Sequence, residues 1–302
     1  MTDPRCVVSS RRGLRLPGML NCGRDSNGDA KIMGRATLMR GLHSVAVMVG
    51  TIVLAATLAT GTATAQIDPA KLPAARTAAA SLLAIAKGSE TTGRVPRAND
   101  PAVRQLLDTV FDARDVVAGR GISFQELGLL TERMVTGARI GTVYMLAGTG
   151  ATDLAQLAND PQADDKVNRN VVRFAPEMGD FLDFELHIQG AVIEAVLTRL
   201  STMRPDEAAR PNFQSGIASI RQSSLRTVAS VIETLAVDGL TDDWRRARLP
   251  ALAAIAPRLA RFLQAGQKAD LQRLASARAD ATADPGLKRS LTAFGRTVAG
   301  GQ

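Results

Sequence analysis

The stretch DPAVRQLLDTVFDARDVV, residues 100–117, decides the fold class of this chain. Asp100 can accept hydrogen bonds from the free N–H groups of a first helical turn. Pro101 suits the first position of that turn, where its fixed backbone angle is helical and its missing N–H is not needed. Apolar residues then recur at intervals of three and four, which places them on one face of a helix. The stretch therefore predicts an amphipathic helix that begins near residue 101.

The same start signals recur along the chain. Asp-Pro pairs also stand at residues 68–69, 160–161 and 284–285, Ser123 to Glu126 form a capping-box pattern, and two acids follow Thr241. No alternating polar and apolar run persists long enough to indicate a strand. The sequence therefore predicts an all-α, multi-helix bundle of about eight or nine helices, with no sheet. The predicted helices lie near 69–87, 101–118, 124–147, 161–174, 177–203, 211–237, 242–265, 268–281 and 285–298.

Residues 39–65, MRGLHSVAVMVGTIVLAATLATGTATA, carry the pattern of an export signal. A positive start at Arg40 precedes an apolar run, and small residues stand before the junction after Ala65. We expect a cleavable signal peptide, a mature chain that begins at Gln66, and a periplasmic or secreted protein. The alternative is a membrane anchor that is retained. The apolar part is shorter than the roughly 20 residues that a spanning helix needs, which favours cleavage.

The rest of the chain divides at this signal. Residues 1–38 are polar and rich in arginine, which is typical of a disordered leader or of a start codon assigned too early. Residues 66–302 are long enough for a single helical-bundle domain with its own core. Gly, Pro and Asn residues predict a flexible joint at 88–99 and a second one at 203–212.

Composition excludes several classes of function. The chain has 37 Lys and Arg residues and 29 Asp and Glu residues, but eight of the basic and three of the acidic residues precede Gln66. The mature chain then holds 29 basic and 26 acidic residues, a net charge of +3, which gives no support for nucleic-acid binding. Both cysteines, Cys6 and Cys22, precede the junction as well, so the mature chain has neither disulfides nor thiolate chemistry. No phosphate-loop, zinc-protease, haem or EF-hand motif occurs, and we expect no cofactor.

Three clusters are candidates for a site, and the first is acidic. Asp180, Asp183, His187 and Glu194 fall within about 60° on one face of a predicted helix. Carboxylates and an imidazole on one face could bind a metal or act as acid and base. Bundle metal sites draw Glu-x-x-His motifs from two helices, however, and the mature chain has one histidine. The pattern favours a solvated polar face on which Asp183 supports His187 one turn away.

The second candidate is a run of small residues. Gly137 and Gly141 are spaced four apart, and Tyr144 follows them on the same predicted helix. Glycines at this spacing allow another helix to approach closely, and the same space could form a pocket for an apolar ligand. Because a tight helix crossing explains the glycines without any ligand, the spacing favours close packing.

The third candidate is a group of arginines in one predicted helix. They follow Trp244 and are Arg245, Arg246, Arg248, Arg258 and Arg261. In an envelope compartment such a cluster could bind anionic lipid head groups or glycans, with the tryptophan at the interface. Asp242 and Asp243 stand three residues before the first two arginines, which is the spacing of ordinary helix-surface ion pairs. The sequence favours a solvated or salt-bridged face.

These patterns favour an exported helical protein that acts by binding, as a scaffold, an assembly factor or a carrier. Its partner would be another envelope protein or a small apolar ligand rather than a nucleic acid. Two alternatives remain open. One is an enzyme or metal-binding bundle that uses the face of Asp183, His187 and Glu194. The other is a peripheral membrane-surface protein that uses the helix from Arg245 to Arg261. Contact with a membrane would otherwise need an uncleaved signal.

Overall fold

The protein is described here by a computed structural model that covers residues 67–92, 95–116 and 126–300. Within these ranges the chain forms eleven α-helices and no strand, which confirms the all-α bundle. The helices are α1 (Lys71–Thr92), α2 (Pro101–Val110), α3 (Leu127–Leu146), α4 (Leu154–Ala158), α5 (Ala163–Arg173), α6 (Ala175–Thr202), α7 (Pro205–Ala208), α8 (Pro211–Thr234), α9 (Asp242–Phe262), α10 (Ala265–Ala281) and α11 (Pro285–Ala299).

Each of the nine predicted helices corresponds to one of these eleven. The predicted number of helices was too low because the two shortest helices were not predicted. The helices α4 and α7 have five and four residues. Segments this short hold too few residues to show helical periodicity, so the sequence pattern missed them. The second of the two lies inside the joint that was predicted at 203–212.

The ends of two helices differ from the sequence prediction. Helix α1 continues through Gly88 to Thr92, so the joint predicted at 88–99 was wrong in its first half. A single glycine costs a helix only about 1 kcal/mol, and the next strong helix breaker is Pro96. Helix α2 ends at Val110 rather than near residue 118. The N–H of the next residue, Phe111, donates to the Leu107 carbonyl and closes the last turn. Residues 117–125 lie outside the described part of the chain.

Three of the predicted caps are present. Asp100 accepts from the Ala102 N–H, Asp284 from the Gly286 N–H, and Thr241 from the Trp244 N–H. Asp68 and Asp160 are the exceptions. Each accepts a hydrogen bond from the N–H two residues on, Ala70 or Gln162, in a turn before its helix, and α1 and α5 begin only at residues 71 and 163. Local side-chain chemistry therefore marks where three helices begin, α2, α9 and α11.

The capping box predicted at 123–126 is used differently. Ser123 lies outside the described residues, and the Glu126 side chain makes no cap to α3. The Glu126 carboxylate instead accepts a buried hydrogen bond of 2.7 Å from the backbone N–H of Ile67. This bond joins the beginning of α3 to the segment before α1.

Helix α6 lies at the centre of the bundle. It packs most extensively against α3 and α9 and also contacts α5 and α8. On its two sides, α1 packs on α2 and α3, while α10 and α11 pack on each other and α11 packs on α9. Buried apolar side chains from Ile67 to Val298 form one contiguous core. Among the described helices, none is both long enough and apolar enough to span a membrane.

Candidate functional site

The acidic face of α6 is bonded to arginines from other parts of the bundle. Asp180 accepts a hydrogen bond of 2.6 Å from Arg104 of α2, whose other terminal nitrogen donates to Asp108 at 2.6 Å. Burial raises the pKa of the Asp180 carboxyl, and the bond from Arg104 opposes that shift. Arg104 therefore holds α2 onto α6 by neutralising a half-buried acid.

Two further acids of α6 pair with arginines of α9. Asp183 lies 3.1 Å from Arg248, and Glu194 lies 3.3 Å from Arg258. Burial raises the pKa of Asp183 to about 6, although the Arg248 guanidinium acts in the opposite direction. The predicted polar face of α6 is thus a row of ion pairs between helices rather than a face surrounded by water.

Glycines of α6 make room for these arginines. A Cβ atom at Gly179 would lie 2.6 Å from a terminal nitrogen of Arg248, and one at Gly190 would lie 3.1 Å from a terminal nitrogen of Arg258. Real Cβ atoms essentially never approach other heavy atoms as closely as the first distance. The absence of a side chain at Gly179 is therefore required for Arg248 to reach the acidic face of α6.

His187 is exposed at the end of this face. Its Nδ1 lies 2.6 Å from the backbone carbonyl oxygen of Asp183. A carbonyl only accepts hydrogen bonds, so Nδ1 carries a proton and is the donor in this contact. Asp183 supports His187 through its backbone, because its carboxylate is bound to Arg248. Nowhere in the described ranges do three or more His, Cys, Asp or Glu side chains form a group that could hold a metal ion.

A polar groove lies between α2 and α6 at this face. Its volume is about 570 Å³. Its walls combine charges of both signs over buried aromatic rings, and include Arg104, Asp108, Phe111, Arg114, Asp180 and His187. The structure therefore brings three of the four predicted acidic-face residues, Asp180, Asp183 and His187, to one concave surface, while Glu194 lies elsewhere against Arg258.

The small residues of α3 contact phenylalanine rings. A Cβ atom at Gly141 would lie 2.8 Å from two ring atoms of Phe181, and one at Gly137 would overlap the ring of Phe184. Both rings also pack against Phe111, with centroids 6.0 and 5.6 Å away. The space that the glycines leave is filled by side chains of α6, which is the close packing that the glycine spacing favoured.

Tyr144 lies in the core beside these glycines. Its side chain is 1% exposed, and its ring packs against Phe174 at 5.4 Å between centroids. Burial raises the pKa of its hydroxyl far above the ordinary value. Neither the polar groove between α2 and α6 nor a second groove, between α1 and α3, is lined by Tyr144, Gly137 or Gly141.

The arginines of α9 are largely paired within the protein. Arg245 lies 3.0 Å from Asp242, and Arg246 lies 2.8 Å from Asp243, as the three-residue spacing predicted. With Arg248 and Arg258 bound to α6, Arg261 is the member of the predicted cluster without an ion pair in the described part of the chain. Little positive charge is left for a membrane surface.

Trp244 is also held inside the bundle. Its indole N–H donates a hydrogen bond of 2.6 Å to the backbone carbonyl of Ala175, and Arg248 stacks over its ring at 4.7 Å. An aromatic residue that anchors a protein in a membrane interface needs a free ring. These contacts therefore weaken the membrane-surface interpretation of this helix.

A second groove, which the sequence analysis missed, lies between α1 and α3. We call it the α1–α3 groove, and its volume is about 470 Å³. Most of its lining surface is carbon, contributed by Ala79, Ala80, Leu83, Val135 and two threonines. The hydroxyls of those threonines, Thr131 and Thr136, donate to carbonyls of their own helix, so neither has a proton left to donate to a ligand.

The rim of the α1–α3 groove carries two arginines, of which one is in an ion pair and the other is not. Arg76 of α1 pairs with Glu132 of α3 across one part of the groove. Arg139 lines the same groove, is exposed, and has neither a hydrogen bond nor an ion pair with any residue that the structure describes. The groove therefore combines an apolar floor with one unneutralised guanidinium.

Comparisons with protein-family models, with curated proteins and with solved structures found no match to this chain.

Proposed function

We propose that this protein is an exported helical binding protein, a carrier that holds an anionic amphiphile in the α1–α3 groove. By an anionic amphiphile we mean a molecule with an aliphatic chain and a negatively charged head group. The observation that carries the proposal is the unpaired guanidinium of Arg139 at the rim of an apolar groove. The carrier role agrees with the binding function that the sequence favoured. The aliphatic chain of the amphiphile takes the part of the small apolar ligand in that earlier hypothesis.

The floor of the groove suits the aliphatic chain. Ala79 is buried and Ala80 is small and exposed, so α1 leaves a shallow channel beside Leu83 and Val135. Pockets for small ligands commonly measure about 300–1,000 Å³ and are mostly apolar, and this groove meets both conditions. Each CH₂ group that leaves water for such a surface contributes about 0.8 kcal/mol when it is fully buried.

Arg139 suits the head group. Glu132 already neutralises Arg76, so Arg139 is the rim cation that is available to an incoming anion. A planar guanidinium can bind a carboxylate or a phosphate through two parallel hydrogen bonds. Charge therefore selects an anionic amphiphile over a neutral or cationic one.

Export is the second part of the proposal. It is supported by the signal pattern at 39–65, which lies outside the described residues, and by the burial of Ile67, which already belongs to the core two residues past the predicted junction. We propose that the mature chain begins at Gln66 and works in the periplasm or outside the cell.

Titration calorimetry on residues 66–302 tests the ligand. Dodecanoate and the uncharged alcohol of the same chain length are titrated in parallel, below their micelle concentrations. We expect dodecanoate to bind about tenfold more tightly, because a charge-assisted hydrogen bond at a partly exposed site contributes about 1–2 kcal/mol. Arg139→Gln should remove this preference and leave the affinity for the alcohol unchanged.

Two further variants complete the design. Ala80→Phe fills the groove and should weaken both ligands, while Arg289→Gln, which removes an exposed arginine of α11, should weaken neither. The proposal is wrong if the wild type binds neither ligand, or if Arg139→Gln keeps the preference for dodecanoate.

A second candidate function is acid–base chemistry in the groove between α2 and α6. It is favoured by one observation: Nε2 of His187 has no partner among the described residues and stands beside Asp183, whose pKa burial raises to about 6. A His187→Gln variant tests it in a screen of ester and phosphoester substrates. Turnover that the wild type shows and the variant lacks would support this function over the carrier.

A further inference from the structure

A buried polar seam joins α6 to α8 in the interior of the bundle. Gln189 of α6 is fully buried, and its side-chain amide donates a hydrogen bond of 2.7 Å to the hydroxyl of Ser224. Ser224 of α8 is also fully buried, and its hydroxyl donates to the Ile220 carbonyl at 2.8 Å. The Gln189 amide donates from α6 to α8 and the Ser224 hydroxyl donates within α8, so neither supplies a hydrogen bond to the carbonyl oxygen of Gln189.

Glu185 stands one helical turn before Gln189 on the same face of α6. Its side chain is 2% exposed, and neither of its carboxyl oxygens has a donor among the residues that the structure describes. The Oε1 atom of Gln189 lacks a donor in the same way. If Glu185 were ionised, three buried acceptor oxygens on one face of α6 would have no donor among the described residues, and burying an ionised carboxylate without a partner is costly.

We propose that Glu185 is held as a neutral carboxylic acid that donates a hydrogen bond to Oε1 of Gln189, and that its ionisation releases α8 from α6. The proton on Glu185 supplies the one donor that the seam lacks. Removing that proton breaks the first bond of the chain and leaves a negative charge in the core, where the helices can restore hydration only by separating locally. The seam thus acts as a latch that opens as the pH rises.

Among the residues that the structure describes, no charge stabilises the ionised form of Glu185. Burial is the sole cause that raises the pKa of Glu185, which reaches about 8. Several charged side chains on the helices that pack against α6 are engaged with other groups: Arg133 of α3 with Asp115, Arg173 of α5 with Phe174, Arg221 of α8 with the Phe262 carbonyl, Glu233 of α8 with Arg278, and Arg248 and Arg258 of α9 with Asp183 and Glu194. The exposed Arg139 of α3 and Arg261 of α9 do not contribute to the pKa of Glu185 either. The partnered Asp164 of α5 and Arg226 of α8 likewise add nothing to the pKa of Glu185.

The direction of the pH effect follows from this pKa. In the unfolded chain Glu185 ionises near its ordinary value of about 4.3, so between that pH and about 8 the folded state binds one more proton than the unfolded state. The stabilisation is complete at low pH and declines as the pH rises toward 8. Between pH 6 and 8 we expect the Tm of the wild type to fall by roughly 5–10 °C more than that of Glu185→Gln.

Glu185→Gln is the informative variant, because a neutral amide can donate to Oε1 of Gln189 at every pH. The matched control is Glu207→Gln on α7, whose carboxylate has a pKa below the ordinary value beside Arg204 and stays ionised across this range. Hydrogen exchange of α8 amides, compared between wild type and Glu185→Gln at the same pH, reports the local opening. We expect faster exchange in the wild type at pH 9 and equal exchange at pH 6.

Infrared spectroscopy on the wild type tests the proton itself and does not depend on any variant folding. A band from a protonated carboxyl group should persist above pH 7 and titrate with a midpoint near 8, and Glu185→Gln should lack it. The latch is refuted by the absence of such a band above pH 7. It is also refuted by a Glu185→Gln variant whose Tm and α8 exchange follow the wild type at every pH.

Discussion

Replacing Gly141 with alanine should destabilise the protein, although alanine is the better helix former. Within a helix the exchange gains about 1 kcal/mol of propensity. The new Cβ would lie 2.8 to 2.9 Å from three ring atoms of Phe181, so the ring would have to retreat by roughly half an ångström to reach ordinary contact. Phe181 is 2% exposed and packs against Phe111, which leaves it little room. Overpacking of this kind costs about 1–3 kcal/mol.

We take the upper part of that range, because three ring atoms clash at once. The net loss is then about 1.5 kcal/mol, and the Tm should fall by roughly 3–6 °C. Calorimetric or circular-dichroism melting measures it. Gly216→Ala in α8 is the matched control, since a Cβ there would meet nothing within 4 Å and the propensity gain should raise the Tm. Gly141→Ala combined with Phe181→Leu should recover part of the loss. A Gly141→Ala variant as stable as Gly216→Ala would refute the close packing of α3 on α6.

Further predictions concern the acidic face and the export signal. Arg248→Met should raise the pKa of Asp183 above about 6 and extend the pH range over which stability declines with rising pH; a carboxyl titration by NMR that shows no change would contradict the ion pair. His187→Ala should change the unfolding free energy by a few tenths of a kcal/mol, because the side chain is exposed and bonds to its own helix, and a loss above 2 kcal/mol would contradict this. N-terminal sequencing of the exported protein should begin at Gln66, and a membrane-bound product that retains 39–65 would contradict cleavage.

The helices could be predicted because their signals are local. Asp100 and Thr241 lie next to the N–H groups that they cap, and apolar spacing needs only one turn of sequence at a time. The partners of the acidic face could not be predicted in the same way. Nothing near Asp183 in the sequence indicates that Arg248 reaches it from another helix, or that Gly179 makes the approach possible. The acidic face of α6, predicted to be solvated, is therefore an interface with α2 and α9.

The glycines and the α1–α3 groove show the same limit. The spacing of Gly137 and Gly141 indicated a close helix crossing. Only the structure shows that the crossing helix is α6 and that its phenylalanine rings fill the space beside the glycines. The groove lies on a different face of α3, beside Val135 and Arg139, and forms because α1 presents small residues such as Ala80 to that face. A run of small residues in α1 was the signal in the sequence for this groove. It could not be interpreted without knowing that α3 packs beside it.

The most direct test of the carrier is to locate the ligand by NMR. The mature protein is labelled at alanine and valine methyl groups and saturated with dodecanoate. We predict contacts between the methylene protons of the ligand and the methyls of Ala79, Ala80 and Val135, together with a shift of the Arg139 side-chain signals. Ligand contacts confined to the groove between α2 and α6, or no contacts at all, would contradict the account.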